Sequence, residues 1–230
     1  MFVPGAKEPD EAHRASQTNL PAQLTPLIGR EQEVEEACAL LRSEETRLLT
    51  LTGPGGVGKT RLGIRVADEL AEEFADGVCF DSLAPIREPE LVIPTIARTL
   101  GLRELGERPL SERLGELLKE RELLLVLDNF EQVVEAAPRV AELLAVCPRL
   151  KVLATSREVL HLSSERVFPV PPLGLPDFEQ LPEDALALSE YGSVAFFVQR
   201  ARMAKPDFRL TEGYAPVVAE ICVRLGFRTC

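Results

Sequence analysis

Leu48-Leu-Thr-Leu-Thr52 runs directly into Gly53-Pro-Gly-Gly-Val-Gly-Lys-Thr60, and this stretch decides the fold. An apolar-rich run, a glycine-rich loop and then apolar residues at helical spacing (Leu62, Val66, Leu70, Phe74) read as strand, phosphate-binding loop and helix. The glycines let the backbone curl so that consecutive N–H groups point inward, and the helix start adds unpaired N–H groups and a dipole that favours an anion. Gly53, Pro54, Gly55, Gly56, Val57 and Gly58 thus form a cradle for phosphates. Lys59 brings a full positive charge to the β- and γ-phosphates of a nucleoside triphosphate, and the Thr60 hydroxyl is placed to ligate Mg²⁺. Arg61, next along the helix, is counted with the nucleotide contacts.

At 230 residues and 45% hydrophobic, the chain has enough apolar material for one large domain or one and a half. The net charge of −11, with no cluster of Lys and Arg, argues against direct nucleic-acid binding by this segment. Five widely spaced cysteines (Cys38, Cys79, Cys147, Cys222, Cys230) read as reduced thiols of a cytosolic protein. Residues 1–23 lack the apolar core of a signal peptide, and the longest aliphatic run, Leu123 to Leu127, is far too short to cross a membrane. The expected location is therefore cytoplasmic. His13 and His161 are the only histidines, and neither has the Cys/His spacing of a zinc site.

Three regions are expected: a flexible leader over 1–24, a nucleotide-binding domain over 25–175, and an incomplete helical domain over 176–230. After a helix at about 31–43, strands are expected at Leu48–Thr52, Val78–Asp81, Leu123–Leu127 and Lys151–Thr155. Helices reach to about Phe74, from Glu90 to Leu100, from Ser111 to Glu120, and from the third strand to about Cys147. Strands that are almost wholly apolar, alternating with helices, are the sequence form of an α/β fold with a parallel sheet covered on both faces. A short strand near Val167–Val170 is assigned to an edge, where its prolines are tolerated. Two helical stripes follow, Val194, Phe197, Val198 and Ala201, then Val218, Ile221, Cys222 and Leu225.

Two further constellations complete the expected site. The third strand ends in Asp128, a carboxylate suited to share magnesium with Thr60. Asn129 follows where many related ATPases carry a second acid; an amide orients water but does not take its proton. Glu131 is either its replacement or an exposed glutamate in the first turn of a helix. The fourth strand leads into Thr155-Ser156-Arg157, with Arg157 able to reach the γ-phosphate and Thr155 either a polar sensor or a cap.

Leu27-Ile-Gly-Arg-Glu-Gln-Glu33 resembles the hhGRExE signature of STAND-class signalling ATPases, the group that contains the NB-ARC and AP-ATPases. With GPGGVGKT, LLLVLDN and ATSR in the same order, the chain from Asn19 to Leu225 is similar to the bacterial branch found in AfsR-like and LuxR-type regulators. The resemblance implies that Leu27, Ile28, Gly29 and Arg30 line an adenine site, that Arg157 is the first sensor, and that the strands lie in the order 5-1-4-3-2. It further implies an ATP/ADP-binding switch with slow Mg²⁺-dependent hydrolysis in a transcriptional or signalling regulator. Self-association or fused effector domains are then features of the full-length relatives. The family continues into Gly-Leu-Pro-Leu where this chain reads Phe227-Arg-Thr-Cys230, which reads as a truncation or a change of frame. A noncatalytic nucleotide-binding or interaction fragment is therefore the alternative. A small-molecule P-loop kinase is a more distant one, since no Arg-rich lid is evident.

Overall fold

The computed structural model describes residues 18–103, 108–177 and 184–225. In chain order these form α1 (Glu31–Arg42), β1 (Leu48–Thr52), α2 (Lys59–Leu70), β2 (Val78–Ser82), α3 (Val92–Thr99), α4 (Leu110–Leu118), β3 (Leu124–Asp128), α5 (Ala137–Val146), β4 (Lys151–Ser156), β5 (Glu165–Pro169), α6 (Ala185–Leu188), α7 (Gly192–Ala204) and α8 (Ala215–Leu225). Every residue of β1 and β3 is buried, as is β4 beyond Lys151. Strands with no exposed face need cover on both sides. Leu125, Leu127, Val152 and Ala154 pack with α3, α4 and α5, whereas Leu49, Leu124, Val126 and Leu153 pack with α1 and α2.

The five strands are parallel and lie in the order β2-β3-β4-β1-β5, the order that the family resemblance implies. Because β4 separates β1 from β3, the C-terminal ends of these three strands stand side by side, where α/β sheets place their ligands. The edge strand begins two residues earlier than expected and ends at Pro169. Val170 N–H donates to the Thr52 carbonyl at 2.7 Å, so the alternate position, Pro169, falls where the edge needs no donor.

A continuous helix after β3 is not what forms. Asn129 adopts φ 61°, two single 3-10 turns follow at Phe130–Gln132 and Val134–Ala136, and only then does α5 begin, with Pro138 in its first turn. Asparagine is among the few non-glycine residues that occupy the left-handed region readily, so it turns the chain back over the strand end.

Within the expected leader, residues 1–17 lie outside the described residues, but Asn19 is firmly engaged. Its side chain exchanges two hydrogen bonds with the Phe80 backbone, at 2.9 and 2.6 Å, covering the open edge of β2 as another strand would. Beyond the sheet, Leu173, Leu188, Val194, Val198, Ala215, Val218 and Cys222 build a separate small core. Leu225, expected on the buried stripe of α8, is instead 63% exposed, and the residues after it lie outside the described ones. Cys38, Cys79, Cys147 and Cys222 are buried free thiols. Among the described residues no helix is long and apolar enough to cross a membrane.

Candidate functional site

The loop between β1 and α2 has its shape because of where its glycines stand. Gly53 sits at φ 147°, and a Cβ there would be 2.7 Å from the Val170 carbonyl oxygen, so both torsion and space exclude a side chain. Gly58, at φ 92°, turns the loop into the first turn of α2. The Lys59 ammonium lies back across the loop and donates to the carbonyls of Gly53 (2.7 Å) and Pro54 (3.0 Å). Burial holds it below the usual lysine range; Glu131 pulls it upward, Arg157 pushes it down, and Asp128 raises it again. Three charged side chains are thus close enough to act on the ammonium.

Asp128, at the end of β3 and 4% exposed, joins the three strand ends. Its Oδ1 accepts from the Thr60 hydroxyl at 2.7 Å and from the Thr155 hydroxyl at 2.6 Å. Thr155 in turn accepts from the Asn129 N–H at 3.0 Å. A hydroxyl and a carboxylate held together at the mouth of the sheet are hard oxygen donors of the kind magnesium prefers. The same three residues lock the register of loop, β3 and β4 at the point where a ligand would be met.

Arg157 follows β4 and is 64% exposed along its side chain, while its partner Glu131 is only 8% exposed. The Arg157 Nε donates to Glu131 Oε1 at 3.1 Å. The guanidinium also lies 3.8 Å from where a Cβ would stand on Gly55, so it runs alongside the loop. Glu131 is therefore not an exposed helix glutamate: the turn at Asn129 folds it back toward the loop. The signal available in the sequence was the Asp-Asn pair itself, since an Asn after a strand-ending Asp marks a left-handed turn.

The segment before α1 meets the site less directly. Leu27 and Ile28 are half-buried, with Leu27 packed on the α1 and α2 core. Gly29, at φ 63°, approaches α7 so closely that a Cβ would be 2.8 Å from the Gly192 Cα. Arg30 is 3% exposed and donates to the Val57 carbonyl (3.2 Å), to the Pro171 carbonyl (2.5 Å) and to Glu33. It braces the loop against the segment leaving β5. Arg61 is engaged elsewhere than the loop: its guanidinium donates to the Thr25 carbonyl (2.6 Å), the Thr25 hydroxyl and the Pro26 carbonyl. Neither bracing role was legible before the fold brought these carbonyls near the two guanidinium groups.

Residues 42–164 match the AAA domain family, just over half of the chain. "Putative HTH-type transcriptional regulator Rv0890c" of Mycobacterium tuberculosis is 40% identical over 182 residues, covering 79% of this chain and 19% of its own length. The regulatory protein AfsR of Streptomyces griseus is 30% identical over 224 residues, covering 91% of this chain and 22% of its own. The chain thus spans about a fifth of the length of these regulators. Among solved structures, Cdc6p from Pyrobaculum aerophilum superposes with a TM-score of 0.55 at 20% identity, over 90% of this chain and 57% of that one. A Pyrococcus horikoshii STAND protein with a tetratricopeptide repeat sensor gives 0.53 at 14% identity, over 91% and 29%. At such identities the two structures speak to the fold alone.

Proposed function

The chain belongs to the AAA domain family, and from that membership we propose that it is the ATP/ADP-binding switch domain of a bacterial transcriptional or signalling regulator, acting in the cytoplasm. The observation that carries the reading is the meeting of Thr60 and Thr155 on Asp128, beside Lys59, at the ends of three adjacent strands. Gly53 to Gly58 and the first turn of α2 fit a polyphosphate, with Lys59 as its counter-charge. Thr60 and Asp128 are the residues that would hold a magnesium ion, which would neutralise phosphate charge there. Arg157 is assigned to the γ-phosphate and the segment Leu27 to Arg30 to the adenine, with Arg61 holding that segment through Thr25 and Pro26. Residues 25–175 are assigned to a nucleotide-binding unit and the described residues from 176 on to a helical one, whose α7 abuts Gly29. A shift in that contact is a direct route from the bound nucleotide to the rest of a regulator.

Ligand-dependent thermal unfolding tests this reading. A ligand at a hundred times its Kd stabilises by about 2.7 kcal/mol, which raises Tm by about 5–10 °C in a chain of this size. MgATP and MgADP are expected to produce that rise in the wild type and none in Lys59→Ala; equal responses would sink the assignment. Asn129 favours a second reading, a noncatalytic nucleotide-binding module, because its backbone N–H serves Thr155 and its side chain carries no carboxylate. Steady-state phosphate release from the wild type at the level of Asp128→Ala, with nucleotide bound, would select it.

A further inference from the structure

Glu131 combines three properties at this site. Its side chain is more than nine-tenths buried, its Oε1 is held by Arg157 at 3.1 Å, and its Oε2 is buried with no hydrogen-bond partner. A buried carboxylate oxygen in that condition leaves a hydrogen bond unmade, which is uncommon in a folded protein and leaves the oxygen available to a ligand or water. The surrounding chain imposes it: Asn129 at φ 61° sets the direction and the fully buried Phe130 anchors the turn. Neighbouring groups are otherwise committed, since Asp128 Oδ1 receives two hydroxyls and Asn129 has no acid. Arg157, by contrast, is mostly exposed and lies beside Gly55 of the loop, where an anionic γ-phosphate on that loop would compete for it.

We propose that Glu131 takes the proton of the water that hydrolyses ATP, and that its ion pair with Arg157 is a latch opened by the γ-phosphate. The proposal rests on the nucleotide-binding reading above. With Arg157 drawn to the γ-phosphate, neither Glu131 oxygen has a protein partner and one receives the proton of the attacking water. That water's oxygen bonds to the γ-phosphorus while the bond from phosphorus to the β–γ bridging oxygen breaks. ADP leaves with the bridging oxygen and its electron pair, and the proton passes from Glu131 to phosphate or solvent. With ADP bound there is no γ-phosphate, so Arg157 returns to Glu131 and the site rests.

A latch of this kind gives Glu131→Gln two effects of opposite sign, which a merely structural residue does not produce. The full chain and the isosteric variant are titrated with MgADP and with the magnesium complex of a β–γ-imido ATP analogue, and single-turnover phosphate release is measured with MgATP. Loss of the competing carboxylate is expected to raise the affinity for the analogue relative to ADP by about two- to fivefold, the range of a solvent-screened ion pair. Phosphate release is expected to fall by about a hundredfold or more, as when a general base is removed. Unchanged release and an unchanged affinity ratio overturn the proposal while leaving the nucleotide site intact. A joint fall in the ratio and in release marks Glu131 as structural support and overturns it too. Failure of the wild type to bind MgADP removes the nucleotide reading itself, and the latch with it.

Discussion

The hydroxyl of Thr60 and the carboxylate of Asp128, 68 residues apart in the chain, meet at 2.7 Å where α2 begins and β3 ends. Thr155 closes the triangle from β4, at 2.6 Å from the same carboxylate oxygen. Removing the acid therefore has a structural effect as well as a chemical one. Asp128→Ala leaves two hydroxyls, one fully buried, without their acceptor, a loss of about 1–3 kcal/mol by urea denaturation. The same variant is expected to lose the dependence of nucleotide affinity on magnesium, compared by titration with and without EDTA.

Gly53 offers a test of the loop geometry alone. Alanine there meets φ 147° and a backbone oxygen at 2.7 Å, neither of which yields to a rotamer change. Strain of this kind costs about 1–3 kcal/mol. A fall in Tm of about 3–10 °C is expected by calorimetry for Gly53→Ala, against a small effect for Gly174→Ala, where a Cβ meets nothing within 4 Å.

Arg30 ties three pieces of chain together, so its loss is expected to loosen one in particular. Val57 belongs to the loop and Pro171 to the segment that leads from β5 toward the helical core. Hydrogen bonds from a charged donor contribute about 1.5–3 kcal/mol each. In Arg30→Ala, limited proteolysis is expected to cut after β5 markedly faster than in the wild type, with Glu33→Ala intermediate because it removes only one of the three partners of Arg30. Equal cleavage rates would show that the brace carries no load.

Asp81 predicts a pH dependence. It is 5% exposed at the end of β2. Burial raises its pKa, opposed by the bond from Thr99, by the charge of Arg98 and by the contact with Cys79. In the unfolded chain the group titrates near about pH 3.9. Between that value and the raised folded value the native state binds more protons, so stability contributed by this group falls as pH rises through the window. Asp81→Asn removes the titration. Its stability relative to the wild type is expected to grow from about pH 4 upward and then level off, measured by urea denaturation across a pH series.

How much of this was legible in the sequence differs element by element. Burial on both faces left β1, β3 and β4 with a run of apolar residues, so those strands were located to within a residue. Loop spacing likewise pointed to Lys59 and Thr60, and a carboxylate ending an apolar strand pointed to Asp128. Contacts across the sheet were out of reach, because the bond from Thr155 to Asp128 depends on β4 lying between β1 and β3. Strand order entered only through the family resemblance. The helix expected directly after β3 begins later, at Ala137, because helical periodicity registers apolar spacing and is blind to a single left-handed residue such as Asn129. That one residue is what carries Glu131 into the site. Arg30 was read as a nucleotide contact through the family resemblance and Arg61 from its place after the loop, whereas their hydrogen bonds go to backbone carbonyls that only the folded chain brings near.

Calorimetric titration of the purified chain with MgATP and MgADP, run beside Lys59→Ala, bears most directly on the central claim that the loop from Gly53 to Thr60 holds a nucleotide. The account predicts one site per chain for each nucleotide in the wild type, and an affinity lower by about a hundredfold or more without the ammonium, the loss expected for a charge-assisted contact that is not replaced. Binding of equal strength by the two proteins, or no heat from either, would contradict it.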